Sequence, residues 1–67
     1  MTITLMGTVT AYDESVGLGI ITSESGSEHA FHCIEIADGS RSIAVGTDVS
    51  FAPLAKFGRY EAAHIRS

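Results

Sequence analysis

Clusters of turn-forming residues divide this chain into short segments and leave no room for a long helix. Glycine, serine and aspartate concentrate at residues 13–15, 23–27, 38–40, 45–47 and 57–59. The segments between these clusters are rich in β-branched and aromatic residues, which favour strands. We therefore predict five strands, with one tight turn at residues 34–37. The predicted strands are residues 3–12, 17–23, 28–33, 48–54 and 60–65.

The length of 67 residues limits the chain to a single domain, residues 1–67. A flat sheet of such short strands could not bury a core, whereas a closed barrel encloses one and protects the strand edges. We therefore predict an all-β fold, a small five-stranded antiparallel Greek-key β-barrel. Pro53 is expected at an edge or a strand end, because proline cannot donate to a central ladder. The residues expected to point inward are Val9, Ile21, Phe31, Ile36, Val49, Phe51 and Ile65.

The charge of the chain is negative and unevenly distributed. The formal net charge is −4, and no lysine or arginine precedes Arg41. Most of the carboxylates fall in that same amino-terminal part of the chain. Because lysine and arginine supply most of the attraction to phosphates, this part would contribute little to binding a nucleic-acid backbone.

Cysteine usage and hydropathy indicate the compartment. Cys33 is the single cysteine, so the chain cannot form an intramolecular disulfide, whereas small secreted domains usually need several. We find no leader pattern at the amino terminus and no apolar run near the roughly 20 residues of a membrane helix. We therefore expect a cytoplasmic protein.

Three patterns that could indicate catalysis or a cofactor do not hold. His29, His32 and Cys33 could suggest a metal site, but residues three apart on a strand point to opposite faces. No segment resembles a nucleophile elbow. The pair Gly17 and Gly19 lacks the third glycine, helix start and lysine of a phosphate loop. We predict no metal, no cofactor and no enzymatic activity.

Four segments together resemble the bacterial cold-shock domain. That family reads G-x-V-K-W-F-N, then K-G-F-G-F-I, then V-F-V-H-F-x-x-I, and later E-G-x-x-V-x-F. The present chain has GTVTAYD at residues 7–13, VGLGII at 16–21, AFHCIEI at 30–36 and VGTDVSF at 45–51. The resemblance covers residues 7–65 and implies the OB fold, of which cold-shock domains are the smallest members. It also places Phe31 in the core and Ala30 outside.

The resemblance implies a function in binding single-stranded RNA or DNA on an outer platform of aromatic residues with lysines at its margin. The matching platform positions are Ala11, Leu18, Ile20, Ala30 and Cys33, and the marginal positions are Thr10 and Val16. None is aromatic or basic, so we expect weak binding that does not read sequence. The residues expected to form the site are Thr10, Tyr12, Leu18, Ile20, His32, Lys56, Arg59 and Tyr60.

A different function remains open from the same residues. Val16, Leu18, Ile20 and Ala30, with Cys33, would form an apolar outer patch, and such patches mark partner sites. The patch could then bind a protein partner or a second copy of the chain, or it could be covered by residues 1–5 or by a loop. Tyr12 and Tyr60 could equally be packing residues. Lys56 and Arg59 could simply be solvated loop residues, whereas the family match favours a binding role for His32.

Overall fold

A computed structural model describes residues 4–36, 42–56 and 59–67, excluding the side chains of Lys56 and Arg59. The strands are β1 (Leu5–Asp13), β2 (Leu18–Ser23), β3 (Glu28–His32), β4 (Asp48–Lys56) and β5 (Arg59–Arg66), with a 3₁₀ turn at Cys33–Glu35 after β3. The all-β prediction is confirmed, and each predicted strand is present with its ends shifted by two residues or fewer. The predicted turn at residues 38–40 and most of that at 57–59 lie outside the described residues.

The five strands form one antiparallel sheet in the order β3-β2-β1-β4-β5. The prediction of a closed barrel was wrong, because no ladder joins the edge strands β3 and β5 in the described part of the chain. A bridge between Ile36 and Ile65 and a side-chain hydrogen bond join the two edges instead. In that hydrogen bond, His29 Nδ1 lies 3.0 Å from the Tyr60 carbonyl oxygen.

The core lies on the inner face of the sheet. All seven residues predicted to point inward are buried, because the alternation of apolar and polar residues matches the two-residue period of a strand. Phe31 is 2% exposed, whereas its neighbour Ala30 is exposed, which confirms the predicted register of β3. The structure adds Ala62, Ala63 and His29 to the buried set. Pro53 lies beyond the end of the β1–β4 ladder at Phe51, so the edge prediction also holds.

Gly17, in the turn before β2, and Gly19, within β2, both occupy positions where a side chain would not fit. A Cβ at Gly19 would lie 2.5 Å from Phe31 Cζ and 2.8 Å from the Ala11 carbonyl oxygen. Gly17 has φ +69°, and a Cβ there would lie 2.7 Å from Cys33 Sγ. The first glycine therefore allows the turn, and the second makes space for the Phe31 ring.

A bulge interrupts the pairing of β1 with β2. Val9 pairs with Ile21 and Ala11 pairs with Ile20, so Thr10 is the additional residue on β1. A bulge shifts the following side chains by one position and therefore changes the face on which they lie. Thr10 and Ala11 are both exposed, and Tyr12 is half-buried. Among the described residues, no helix has the length and apolar character needed to cross a membrane.

Candidate functional site

The outer face of β1, β2 and β3 consists of cross-strand rows of side chains. One row contains Ala11, Ile20 and Ala30, and is entirely apolar. The next row towards the end of β1 contains Asp13, Leu18 and His32. The row on the other side contains Thr8, Thr22 and Glu28. An apolar strip thus crosses three strands between two polar borders.

Two adjoining concavities follow this strip. We call the first the apolar groove; its volume is about 410 Å³. It is lined by Ala11, Tyr12, Asp13, Leu18, Gly19, Ile20, Ala30 and Phe31. We call the second the notch; its volume is about 380 Å³, and it is lined by Ile20, Glu28, Ala30, Tyr60 and Glu61. Because Ile20 and Ala30 line both, the two form one continuous surface from Leu18 to Tyr60.

Tyr12, for which packing and binding were both open, lines the groove and also packs against the core. After the bulge at Thr10 its ring stacks on Phe31, with centroids 5.8 Å apart and an interplanar angle of 7°. Desolvation raises the pKa of the Tyr12 phenol above its ordinary value, and the charges of Cys33 and Glu14 raise it further. Tyr12 therefore packs against the core and also lines the groove. Thr10 lies outside both concavities and hydrogen-bonds to Thr22 Oγ1 at 3.0 Å.

His32 is exposed beside Leu18 and also supports the backbone that follows it. Its Nδ1 accepts a hydrogen bond from the Ile34 backbone N–H at 3.2 Å, which caps the 3₁₀ turn. In a neutral ring this bond places the proton on Nε2, so the ring offers a donor to a ligand. Sequence reasoning missed this capping role, because serine, threonine, aspartate and asparagine are the usual capping residues.

The remaining predicted residues divide between the groove and other places. Tyr60 lies in the notch and is 64% exposed. Lys56 and Arg59 face each other across the β4–β5 pairing, and their side chains lie outside the description. Val16 is exposed in the turn before β2 but lines neither concavity, and Cys33 is half-buried against the core. Residues 1–5 were an alternative cover for the apolar outer patch. Within them, Leu5 does not cover that patch, because it pairs with Phe51 of β4 and packs against the core.

The turn that borders the groove holds a carboxylate in its charged form. Asp13 Oδ1 accepts a hydrogen bond from Ser15 Oγ at 2.6 Å and another from the Ser15 backbone N–H at 3.0 Å. These bonds, led by the one from the side chain, lower the pKa of Asp13 below its ordinary value. Asp13, Glu28 and Glu61 therefore give the surface an acidic border.

Replacing Ser15 with alanine is expected to raise the pKa of Asp13 towards the ordinary value, because the strongest hydrogen bond to the carboxylate is removed. Since the folded pKa is lowered, its contribution to stability is present above the unfolded pKa and lost as pH falls through the folded pKa. Wild type should therefore be more stable than S15A at neutral pH, and the difference should shrink in acid. Carboxyl NMR titration and urea unfolding across pH measure both effects. An unchanged Asp13 titration in S15A would contradict the assignment.

Neither a basic side chain nor a cluster of metal-binding side chains occurs at this surface among the described residues. No described lysine or arginine side chain lines the groove or the notch. Within the described ranges, no three histidine, cysteine, aspartate or glutamate residues come together as a metal site. The arrangement can therefore make apolar and stacking contacts and accept hydrogen bonds. No protein-family model matches this chain, and no curated protein matches it.

Proposed function

We propose that this chain is a cold-shock-like OB module that binds single-stranded RNA or DNA weakly and without reading sequence. The observation that carries the proposal is the continuous surface from Leu18 to Tyr60 across the outer face of β1–β3. An OB fold is a partly open five-stranded Greek-key barrel that binds oligonucleotides on its β2–β3 face. The strand order and the opening between β3 and β5 are compatible with that fold.

The proposed binding is weak because the platform lacks aromatic side chains. A base stacked on an aromatic ring contributes about 1–3 kcal/mol, whereas Leu18, Ile20 and Ala30 offer only apolar contact. Tyr60 is the exposed ring at one end of the surface. Because no described cation lines the surface, few phosphates can be neutralised, and the salt dependence of binding should be shallow.

Replacing Ala30 with glutamate is expected to abolish binding, because it places a carboxylate in the part of the surface shared by groove and notch. The measurement is the shift of the Leu18, Ile20 and His32 amide signals when oligothymidine is added at low salt. Ala44→Glu is the matched control, because Ala44 is exposed and lines neither concavity. Both variants add one negative charge, so a general electrostatic effect would change them equally. No shift in the wild type at millimolar ligand would refute the proposal.

A second candidate function is self-association through the apolar groove. It is favoured by the apolar row of Ala11, Ile20 and Ala30, which has no aromatic ring on which a base could stack but could be buried against a second copy. Leu18 is 51% exposed, and burying it against a second copy would remove apolar surface from water. Under this candidate, Leu18→Glu should convert a dimer to a monomer in analytical ultracentrifugation. A wild type that sediments as a monomer at high concentration would exclude self-association.

A further inference from the structure

We propose that the notch is a nucleobase subsite that prefers guanine to thymine, uracil or inosine, with Glu28 as the acceptor of the guanine amino and imino protons. This inference rests on the proposed single-strand binding and changes it in one respect: the rest of the surface does not read sequence, whereas the notch at one end discriminates among bases. The notch lies where the sheet is open, between β3 and β5. It is therefore built partly from residues outside the β1–β3 platform.

The backbone of Tyr60, the residue whose ring is exposed in the notch, is held by a hydrogen bond from β3. The carbonyl oxygen of Tyr60 accepts a hydrogen bond from the Nδ1–H of His29, which is 8% exposed. The His29 ring in turn packs against Phe51, with centroids 5.1 Å apart. Tyr60 is thus held at a set distance from β3, and its side chain stands in solvent beside Ile20 and Ala30. A planar base could lie against this ring and against the apolar floor.

Charge decides which part of a nucleotide enters the notch. Glu28 lines it, and its carboxylate repels a phosphate. The base is therefore the part that fits. The volume of about 380 Å³ is within the range of known ligand pockets.

Hydrogen-bond chemistry then selects among the bases. An ionised carboxylate only accepts hydrogen bonds, so it favours a base edge with adjacent N–H donors. In a single strand the Watson–Crick edge is open, and guanine presents its N1–H and its N2 amino group side by side there. Uracil and thymine place a carbonyl oxygen on each side of their one N–H, and these oxygens would face the carboxylate. Inosine keeps N1–H but lacks the amino group.

Glu28 is the acceptor to which the proposal commits. It is exposed at the start of β3, in the cross-strand row next to Ile20 and Ala30. The Glu28 carboxylate has no hydrogen bond or ion pair with another described residue. Glu61, the other carboxylate, is half-buried on β5 and forms the opposite wall of the notch.

The test compares three nine-nucleotide strands of thymidine, whose central residue is thymine, guanine or inosine. Fluorescence anisotropy at low salt gives the affinity of each for the full chain. We expect the guanine strand to bind about tenfold more tightly than the other two, since a hydrogen bond to a charged group discriminates by about that factor. The same ratio is then measured for Glu28→Gln and for Glu24→Gln. Glu24 is an exposed carboxylate in the turn between β2 and β3 that does not line the notch, so it controls for the lost charge.

The outcomes separate this inference from the proposed function. Loss of the guanine preference in E28Q but not in E24Q would support the inference. Equal binding of the three strands by the wild type, or a preference that E28Q leaves intact, would overturn the inference and leave the proposed function standing. Failure of every strand to bind overturns both. Amide shifts at Glu28 and Tyr60 with a trilysine peptide, but with none of the strands, would assign the notch to a basic peptide and overturn the inference.

Discussion

Replacing Phe31 with alanine is expected to cost about 3–5 kcal/mol of the free energy of unfolding, as for other buried phenylalanines. Phe31 is 2% exposed, and its ring packs against the backbone of Gly19 and stacks on the ring of Tyr12. Truncation to alanine would therefore leave a cavity at the end of the core. A domain of this size has a total stability on the order of 3–10 kcal/mol, so the variant should lose a large part of it and unfold at a much lower urea concentration. Urea unfolding followed by circular dichroism measures the loss.

The matched control is Ala30→Ser, on the adjacent residue. Ala30 is exposed on the opposite face of β3, so this change should alter stability by less than about 0.5 kcal/mol. Comparable losses in the two variants would contradict the assignment of Phe31 to the core and Ala30 to the outer face. The prediction therefore tests the register of β3, on which the description of the groove depends.

Introducing phenylalanine at both Leu18 and Ala30 is expected to strengthen binding of oligothymidine about thirtyfold at low salt. Both side chains are exposed on the outer face, so aromatic rings there should be accommodated without disturbing the core. Each new stacked base adds at least about 1 kcal/mol, and about 2 kcal/mol corresponds to that factor. Fluorescence titration of the double variant beside the wild type measures the gain.

A phenylalanine outside the surface serves as the control for this gain. Val45 is 60% exposed in the turn before β4 and lines neither concavity, so Val45→Phe should leave the affinity unchanged. An equal gain in V45F would mean that added hydrophobicity, and not a stacking platform, improves binding. No gain in the double variant would indicate that nucleic acid does not bind along β1–β3, and would favour the self-association candidate.

The strands and the core could be predicted from local patterns because those patterns are physical causes of the structure. Val9 and Val49 alternate with polar neighbours, and a strand with one buried face requires that alternation. The groove residues Leu18, Ile20 and Ala30 could be predicted in the same way, since they are the outward members of that alternation. The two glycines could also be interpreted from the sequence, because each occupies a place where a Cβ does not fit. Gly17 adopts a positive φ in a turn, and Gly19 lies close to the Phe31 ring.

The side on which Tyr12 lies could not be predicted, because the bulge at Thr10 has no local signature. A one-residue shift in pairing reverses every later side chain on β1, and pairing is a property of two strands rather than one. The cap formed by His32 was missed for a similar reason, since it depends on a backbone N–H two residues later in a particular turn. A second bulge lies on β5, where His64 adopts φ 51° in the pairing with β4. No local sequence pattern predicts this bulge either.

The amino-acid sequence by itself determined that this chain is all-β, where its five strands lie, and which large side chains fill its core, because periodicity and turn chemistry act over a few residues. Tertiary structure alone decided that the sheet stays open between β3 and β5, that His29 spans the opening, and that Tyr60 completes a notch with Ile20 and Glu28. These features join residues about thirty positions apart in the chain. Such contacts depend on how distant strands are brought together, and no local pattern encodes that distance.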